Sequence, residues 1–286
     1  MHLHALQQAH HPAAQRRYAP APQQDALALQ TRAQRHVQQT ALGQWQLQAA
    51  DGWAWLSVAD GVASSPCADL ASRSFLQVLH PAELPQALSA RQLPTLVRRA
   101  RQDWRARYLK PRTQGAACTL ASLLLADGQV CAVNSGDARI WRLRRQADGS
   151  TAWLQVSRDH TAWQQMLDDG EAQPEQAEEY ASIYQGLLHC LVLDNEDDGW
   201  CGEDEPAEDW LHIWHGQAQP GDCYLLATDG LHGCLSDGQL QALWQAAASP
   251  PDALQALHAA YRRTGAQDDV SLGLLALPSP QAVPLA

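Results

Sequence analysis

The sequence predicts an α+β layered sandwich, because strand-like runs follow one another across tight turns while amphipathic helices arrive in pairs. Trp53 to Ala59 is an apolar run that reads as a buried strand, closed by a turn at Asp60-Gly61. Behind it Leu70, Ala71, Phe75, Val78 and Leu79 recur at helical spacing. Residues 82–109 supply one or two further helices, with Leu93, Leu96, Val97, Trp104 and Tyr108 on an apolar side and arginines elsewhere. From 116 to 144, apolar and β-branched runs broken by Asp127-Gly128 and Ser135-Gly136-Asp137 predict an antiparallel meander. Residues 160–190 read as helix and loop, and 191–209 as an acidic exposed loop. Residues 222–228 form another buried strand, ending at Asp229-Gly230. Ser236 with Gln239 makes a capping box ahead of one helix, and Ser249-Pro250-Pro251 opens a second that stops at Gly265. Val270 to Leu277 closes the chain as a strand approached through Asp268-Asp269.

At 286 residues the chain is long enough for one large domain with a deep core. Residues 1–22, rich in Ala, Gln, His and Pro without periodicity, read as a weakly ordered tail. The domain then covers 23–278, and 279–286 form a short C-terminal tail. A formal charge of −11 disfavours nucleic acid, whose binding depends on cationic neutralisation of phosphates. No window is apolar for long enough to span a membrane. Seven cysteines without a C-x-x-C pair, several in apolar runs, predict free thiols in a reducing compartment. The N-terminus lacks the apolar core of a secretory signal, and a cytoplasmic monomer is expected.

Eight Asp-Gly dipeptides punctuate the chain, so the pair by itself marks only a turn. Asp60 and Asp229 differ in directly ending apolar strand-like runs, and Asp137 and Asp268 occupy comparable strand ends. Aspartates converging from several strand ends suit Mg²⁺ or Mn²⁺, which take carboxylate, carbonyl and water oxygens. Two such ions about 3.5–4 Å apart can share a hydroxide that attacks phosphorus. The alternative is that each aspartate is a solvated turn residue.

VADGVASSPCADLAS (58–72) resembles the metal-dependent serine/threonine protein phosphatases of type 2C, the PPM family, where an apolar strand ends in Asp-Gly ahead of a helix containing Ala-Ser. Further blocks follow in that family's order. CTLASLLLADGQVCAVNSGDARIWRLR resembles its threonine-containing strand and Gly-Asp-Ser-Arg hairpin, and VSRDHTAWQQMLDDGE its Thr-x-Asp-His segment. PGDCYLLATDGLHGCLSD resembles its Ser-Asp-Gly block, and GAQDDVSLGLLAL its closing Asp-Asn strand. The resemblance implies a four-layer α/β/β/α sandwich of two antiparallel sheets flanked by helix pairs. It also implies hydrolysis of phosphoserine and phosphothreonine by a metal-bridging hydroxide. The implied partner is a phosphorylated protein, a serine/threonine kinase or one of its targets. Carried over residue by residue, Asp60 and Asp229 are the catalytic residues, Asp60 bridges two core Mn²⁺ or Mg²⁺ ions, and the Gly61 carbonyl binds one ion. Asp229 and Asp268 bind the other side, and Asp137 with Asp229 holds a third, weaker ion of the kind bacterial members bind.

The first acidic box of the family is best matched by Gln23-Gln24-Asp25-Ala26-Leu27, which makes Asp25 a ligand through water; the alternative puts Gln39-Thr40 there and loses the acid. Other positions depart from the family. Asp269 replaces its asparagine, Ala138 its serine, and Val62 the histidine that donates a proton in eukaryotic relatives, leaving the general acid unassigned. His160 is expected to hold structure through hydrogen bonds, and Arg16 or Arg17 are the distant candidates for a phosphate-binding arginine. The competing functional reading is a catalytically inactive family member that binds a phosphoprotein.

Overall fold

The structure, a computed structural model, describes residues 1–8, 23–37, 42–84, 87–176, 184–194, 210–265 and 268–279. Its strands are β1 (His2–Gln8), β2 (Ala26–Gln30), β3 (Arg35–Val37), β4 (Leu42–Gln48), β5 (Ala54–Ala59), β6 (Ala117–Cys118) and β7 (Leu120–Ala126). They continue with β8 (Gln129–Ser135), β9 (Arg139–Arg145), β10 (Thr151–Gln155), β11 (Leu191–Val192), β12 (His212–Gln217), β13 (Cys223–Ala227) and β14 (Val270–Ala276). The helices are α1 (Ala68–Leu79), α2 (Leu93–Tyr108), α3 (Ala162–Asp168), α4 (Asp229–His232), α5 (Asp237–Ala246) and α6 (Pro250–Arg263).

One six-stranded sheet runs β10-β9-β13-β14-β1-β4 and the other β12-β8-β7-β5-β2-β3, with β6 and β11 as a short separate pair. Every pairing is antiparallel. The two-residue period of a strand sorts the side chains into layers. Leu27 and Leu29 of β2 and Leu56 and Val58 of β5 point inward, where they meet Leu3, Tyr224, Leu226 and Leu275 of the facing sheet. Ala28 and Trp55 point outward beneath Phe75 of α1 and Trp104 of α2. On the opposite outer face Leu225, Leu272 and Leu274 lie under Leu240, Trp244, Leu254 and Leu257 of the α5–α6 pair. The four expected layers result. The capping box of Ser236 and Gln239 starts α5 as expected.

Three local expectations change. His2–Gln8 is not part of a loose tail but a strand between β14 and β4, with Leu3 opposite both Leu275 and Leu47. Burial of Leu3, Ala5 and Leu6 and pairing on both edges outweigh the weak strand preference of its glutamines. The rest of the expected N-terminal tail, 9–22, and residues 280–286 lie outside the described residues. The run 116–144 is not one meander: β7 and β8 form a hairpin, but β9 crosses to the other sheet and pairs with β13. Gly136 makes that crossing, with φ +90° and an ideal Cβ only 2.6 Å from a Thr119 methyl, so no other residue fits its place. In the expected acidic loop, Leu191 and Leu193 are buried and β11 pairs with β6, while 195–209 lie outside the described residues.

If β1 is structural, Leu3→Ala will lower unfolding free energy in urea by about 2–5 kcal/mol. A change within experimental error would mean the N-terminal segment is dispensable.

Candidate metal centre

Strand register brings the sequence-predicted aspartates to one end of the sandwich. Ala26 opposes Ala59, so Asp25 and Asp60 leave adjacent strands side by side. Ala227 opposes both Leu272 and Arg139, which puts Asp229 near Asp268 on one side and Asp137 on the other. A cleft of about 390 Å³ opens there, lined by Asp60, Gly61, Asp137, Asp229 and Asp268. Asp25 is buried behind it against Asp60, 2 % exposed, with Oδ2 accepting from Thr228 Oγ1 at 2.8 Å. Gln39 and Thr40, the alternative first box, lie outside the described residues.

Backbone anchoring holds these side chains still. Thr119 Oγ1 accepts from the Asp60 N–H at 3.2 Å, and the Thr119 N–H donates to the Asp60 carbonyl at 2.7 Å. The Gln24 N–H donates to Asp269 Oδ2 at 2.7 Å, and its carbonyl takes bonds from the Gly61 N–H and the Ser72 hydroxyl. Tyr261 Oη donates to the Asp268 carbonyl at 2.5 Å. Thr119, Thr228 and Asp269 are thus supports that the acidic motifs did not reveal; the Thr119-Leu120 start of an apolar strand was the available signal.

Space separates the two functional Asp-Gly pairs from the rest. An ideal Cβ at Gly61 would lie 2.2 Å from the Ala68 carbonyl oxygen, and one at Gly230 would lie 1.9 Å from that of Asp269. Glycines 52, 128, 149, 170 and 238 of the other described Asp-Gly pairs have nothing within 4 Å. Four of those mark turns and Gly238 opens α5; Gly61 and Gly230 are close packing beside a carboxylate.

The carboxylates are too close to be anionic together without a cation. Burial, then the neighbouring Asp269 and Asp229, push Asp25 well above its usual range, and burial with Asp25 and Asp229 does the same to Asp60. Burial followed by Asp268 raises Asp229, and burial followed by Asp229 and Asp159 lifts Asp137 to about 8. The Asp25 and Asp229 carboxyls lie against that of Asp60, close enough to share a proton. Oδ1 of Asp25 and Oδ1 of Asp229 are buried without a hydrogen-bond partner. Among the described residues no three His, Cys, Asp or Glu side chains converge on a single point. An ion that keeps several waters needs only one or two carboxylates, so this donor set fits hard divalent cations, not an all-protein cage.

Among the described residues Arg139 is the only lysine or arginine lining the cleft, and Asp159 grips it with Oδ2 2.9 Å from Nε and 2.6 Å from Nη2. His160 accepts the Gly136 N–H through Nδ1 at 3.0 Å, and burial drives its pKa down to about 3. It stays neutral and fixes the turn that presents Asp137. Trp163 and Leu187 line the opposite lip with Val62 and Ala63.

A cleft of oxygen donors at the end of a double sandwich defines a site for hard cations. The chain belongs to the protein phosphatase 2C family, whose model matches residues 14–271. It is 31 % identical over 129 residues to the serine/threonine protein phosphatase PstP of Mycobacterium tuberculosis, a match covering 45 % of this chain and 21 % of that protein. The matched part thus spans about a fifth of its curated relative. Its fold matches the crystal structure of M. tuberculosis PstP with TM-score 0.69 and 20 % identity over 98 % of this chain and 100 % of that one. It also matches Staphylococcus aureus Stp1 with TM-score 0.70 and 16 % identity over 97 % and 95 %. A structure of the PstP catalytic domain with two manganese ions matches at TM-score 0.67 and 20 % identity, covering 98 % and 100 %.

A raised folded-state pKa stabilises the metal-free chain at low pH, and that contribution is lost as pH rises through the folded value. For Asp137 the window runs from 3.8 to about 8. EDTA-treated wild type and Asp137→Asn should therefore melt alike near the bottom of the window, with wild type the less stable at its top and Mn²⁺ reversing that order. Parallel melting curves across the window would contradict the assignment.

Proposed function

We propose that this chain is a metal-dependent protein phosphatase that hydrolyses phosphoserine and phosphothreonine. The observation that carries the reading is that Asp60, Asp137, Asp229 and Asp268 line one cleft, with Asp25 buried against Asp60, in a chain of the protein phosphatase 2C family. Mn²⁺ or Mg²⁺, when bound, supplies an activated water and neutralises charge on the phosphoryl oxygens. In this reading Asp60, the Gly61 carbonyl, Asp229 and Asp268 would hold two core ions, with Asp25 a ligand through water. Asp137 with Asp229 takes a third, weaker ion.

The remaining residues orient the substrate. Arg139, fixed on Asp159, is the positive group nearest an incoming phosphate within the cleft. Thr119 and Gly136 set the backbone on which Asp60 and Asp137 stand, and Val62, Ala63, Trp163 and Leu187 form an apolar rim for the chain carrying the phosphate. Substrates are proteins phosphorylated by serine/threonine kinases, the kinases themselves included. The free state of all six described cysteines supports a reducing, cytoplasmic setting, where the chain acts as a monomer.

Purified chain should release phosphate from an aryl phosphate and from a phosphothreonine peptide with Mn²⁺ or Mg²⁺ and not with EDTA. Asp60→Asn and Asp229→Asn should each reduce kcat/KM by about a hundred-fold or more. Absence of turnover with every metal would reject the enzyme in favour of a binding module.

A further inference from the structure

Positive charge in this acidic chain is concentrated in one place. Eight of its 20 lysines and arginines fall between Arg91 and Arg112, with Asp103 the only acid among them. The apolar side of α2 is spent on the core through Leu93, Val97, Ala100 and Trp104, so the charges other than the buried Arg101 are left outside it. Arg91, Arg99, Arg107, Lys110 and Arg112 are exposed. Arg107 reaches Asp103 only at 3.9 Å, with both side chains more than 60 % exposed, and that contact holds little. Arg91, Arg98, Arg99, Lys110 and Arg112 have no acidic partner among the described residues.

The basic face also leads to the cleft. The turn after α2 is locked onto the loop that carries Val62 and Ala63: Cys67 Sγ donates to the Arg112 carbonyl at 3.6 Å, and an ideal Cβ at Gly115 would touch Pro66 at 3.7 Å. The Val62 N–H donates to the Ala117 carbonyl at 3.0 Å. Lys110 and Arg112 therefore lie on the turn that packs against the Val62–Cys67 loop, whose first residues line the cleft, and the 16 residues of α2 carry the charge onward for about 24 Å. That length matches an extended peptide of about seven residues. Among the described residues the cleft itself is lined by carboxylates and offers an acidic peptide only Arg139.

We propose that the basic face of α2, continued through Lys110 and Arg112 to the cleft rim, docks an acidic stretch of the phosphoprotein substrate beside its phosphorylated residue. This rests on the phosphatase reading and narrows it to substrates with acidic flanks. Other polyanions are disfavoured by the net charge of −11, which repels any large anionic surface that cannot confine itself to this face. The chain carries its own acidic run, 195–209, between Asp194, whose carbonyl Arg105 holds at 3.1 Å, and Trp210, over whose ring Arg101 stacks at 4.7 Å.

The test compares the wild-type chain, an Arg99→Glu/Arg107→Glu/Arg112→Glu variant, and a chain with 195–209 replaced by a Gly-Ser linker of equal length. Substrates are two phosphothreonine peptides, one with glutamates and one with serines and alanines around the phosphate, plus an aryl phosphate. The charge-reversal variant should lose about tenfold in kcat/KM on the acidic peptide through KM, as expected for several modest exposed contacts acting together. Its turnover of the neutral peptide and of the aryl phosphate should be unchanged. Equal effects on both peptides would overturn the proposal, as would selectivity that appears only in the linker chain, since the chain's own acidic run then holds the face. Fluorescence anisotropy of the labelled acidic peptide reads the same contrast without turnover, so failure of the phosphatase reading is seen separately. An unrelated single-stranded oligonucleotide that displaces the peptide equally well would also overturn it.

Discussion

Like-charged carboxylates packed together in a recess repel one another, and in this molecule that repulsion is concentrated around Asp60. Its neighbours Asp25 and Asp229 come from other strands, and all three are pushed toward the protonated form, first by burial and then by acidic neighbours: Asp269 and Asp229 for Asp25, Asp25 and Asp229 for Asp60, and Asp268 for Asp229. A fold keeps such an arrangement only if something offsets it, and a hard divalent cation does so directly. Stability and function therefore meet at the same atoms: the charges that weaken the empty chain are those that would bind the ions.

The double sandwich makes this arrangement rigid. Each aspartate stands within two residues of the start or end of a strand whose body is buried between or beneath the sheets, so its backbone cannot relax away from its neighbours. Small residues finish the job where layers come closest. Gly273 in β14 faces Leu56 of β5 with room for no Cβ, its ideal position lying 2.9 Å from a leucine methyl. Gly61 and Gly230 play the same part beside the cleft. Substitution there would move a ligand as well as a loop, which ties the packing of the core to the chemistry at its end.

Local features of the chain were readable in proportion to how local their causes are. Asp60 and Asp229 stood out because apolar runs precede them, and the capping box at Ser236 because its partner is three residues away. The layered helix pairs followed from spacing. The strand His2–Gln8 was hidden because its justification is remote: it is a strand by virtue of Leu272 to Leu275 on one edge and Gly43 to Leu47 on the other. The same holds for β9, whose transfer to the second sheet is decided by β13, some eighty residues later in the chain. Asp159, Thr228 and Asp269 were not recognisable as supports for the site, because their partners Arg139, Asp25 and Gln24 are contacts that only the folded chain creates. Nor could sequence separate two Asp-Gly pairs from the turn glycines by space.

The central claim is that the carboxylates around Asp60 exist to hold divalent cations, and calorimetric titration of the EDTA-treated chain with Mn²⁺ tests it most directly. At least two ions per chain, with heat lost on replacing Asp60 by asparagine in a variant that still folds, is the result expected. Binding of fewer than two ions by the folded wild-type chain, or binding indifferent to Asp60, would contradict it.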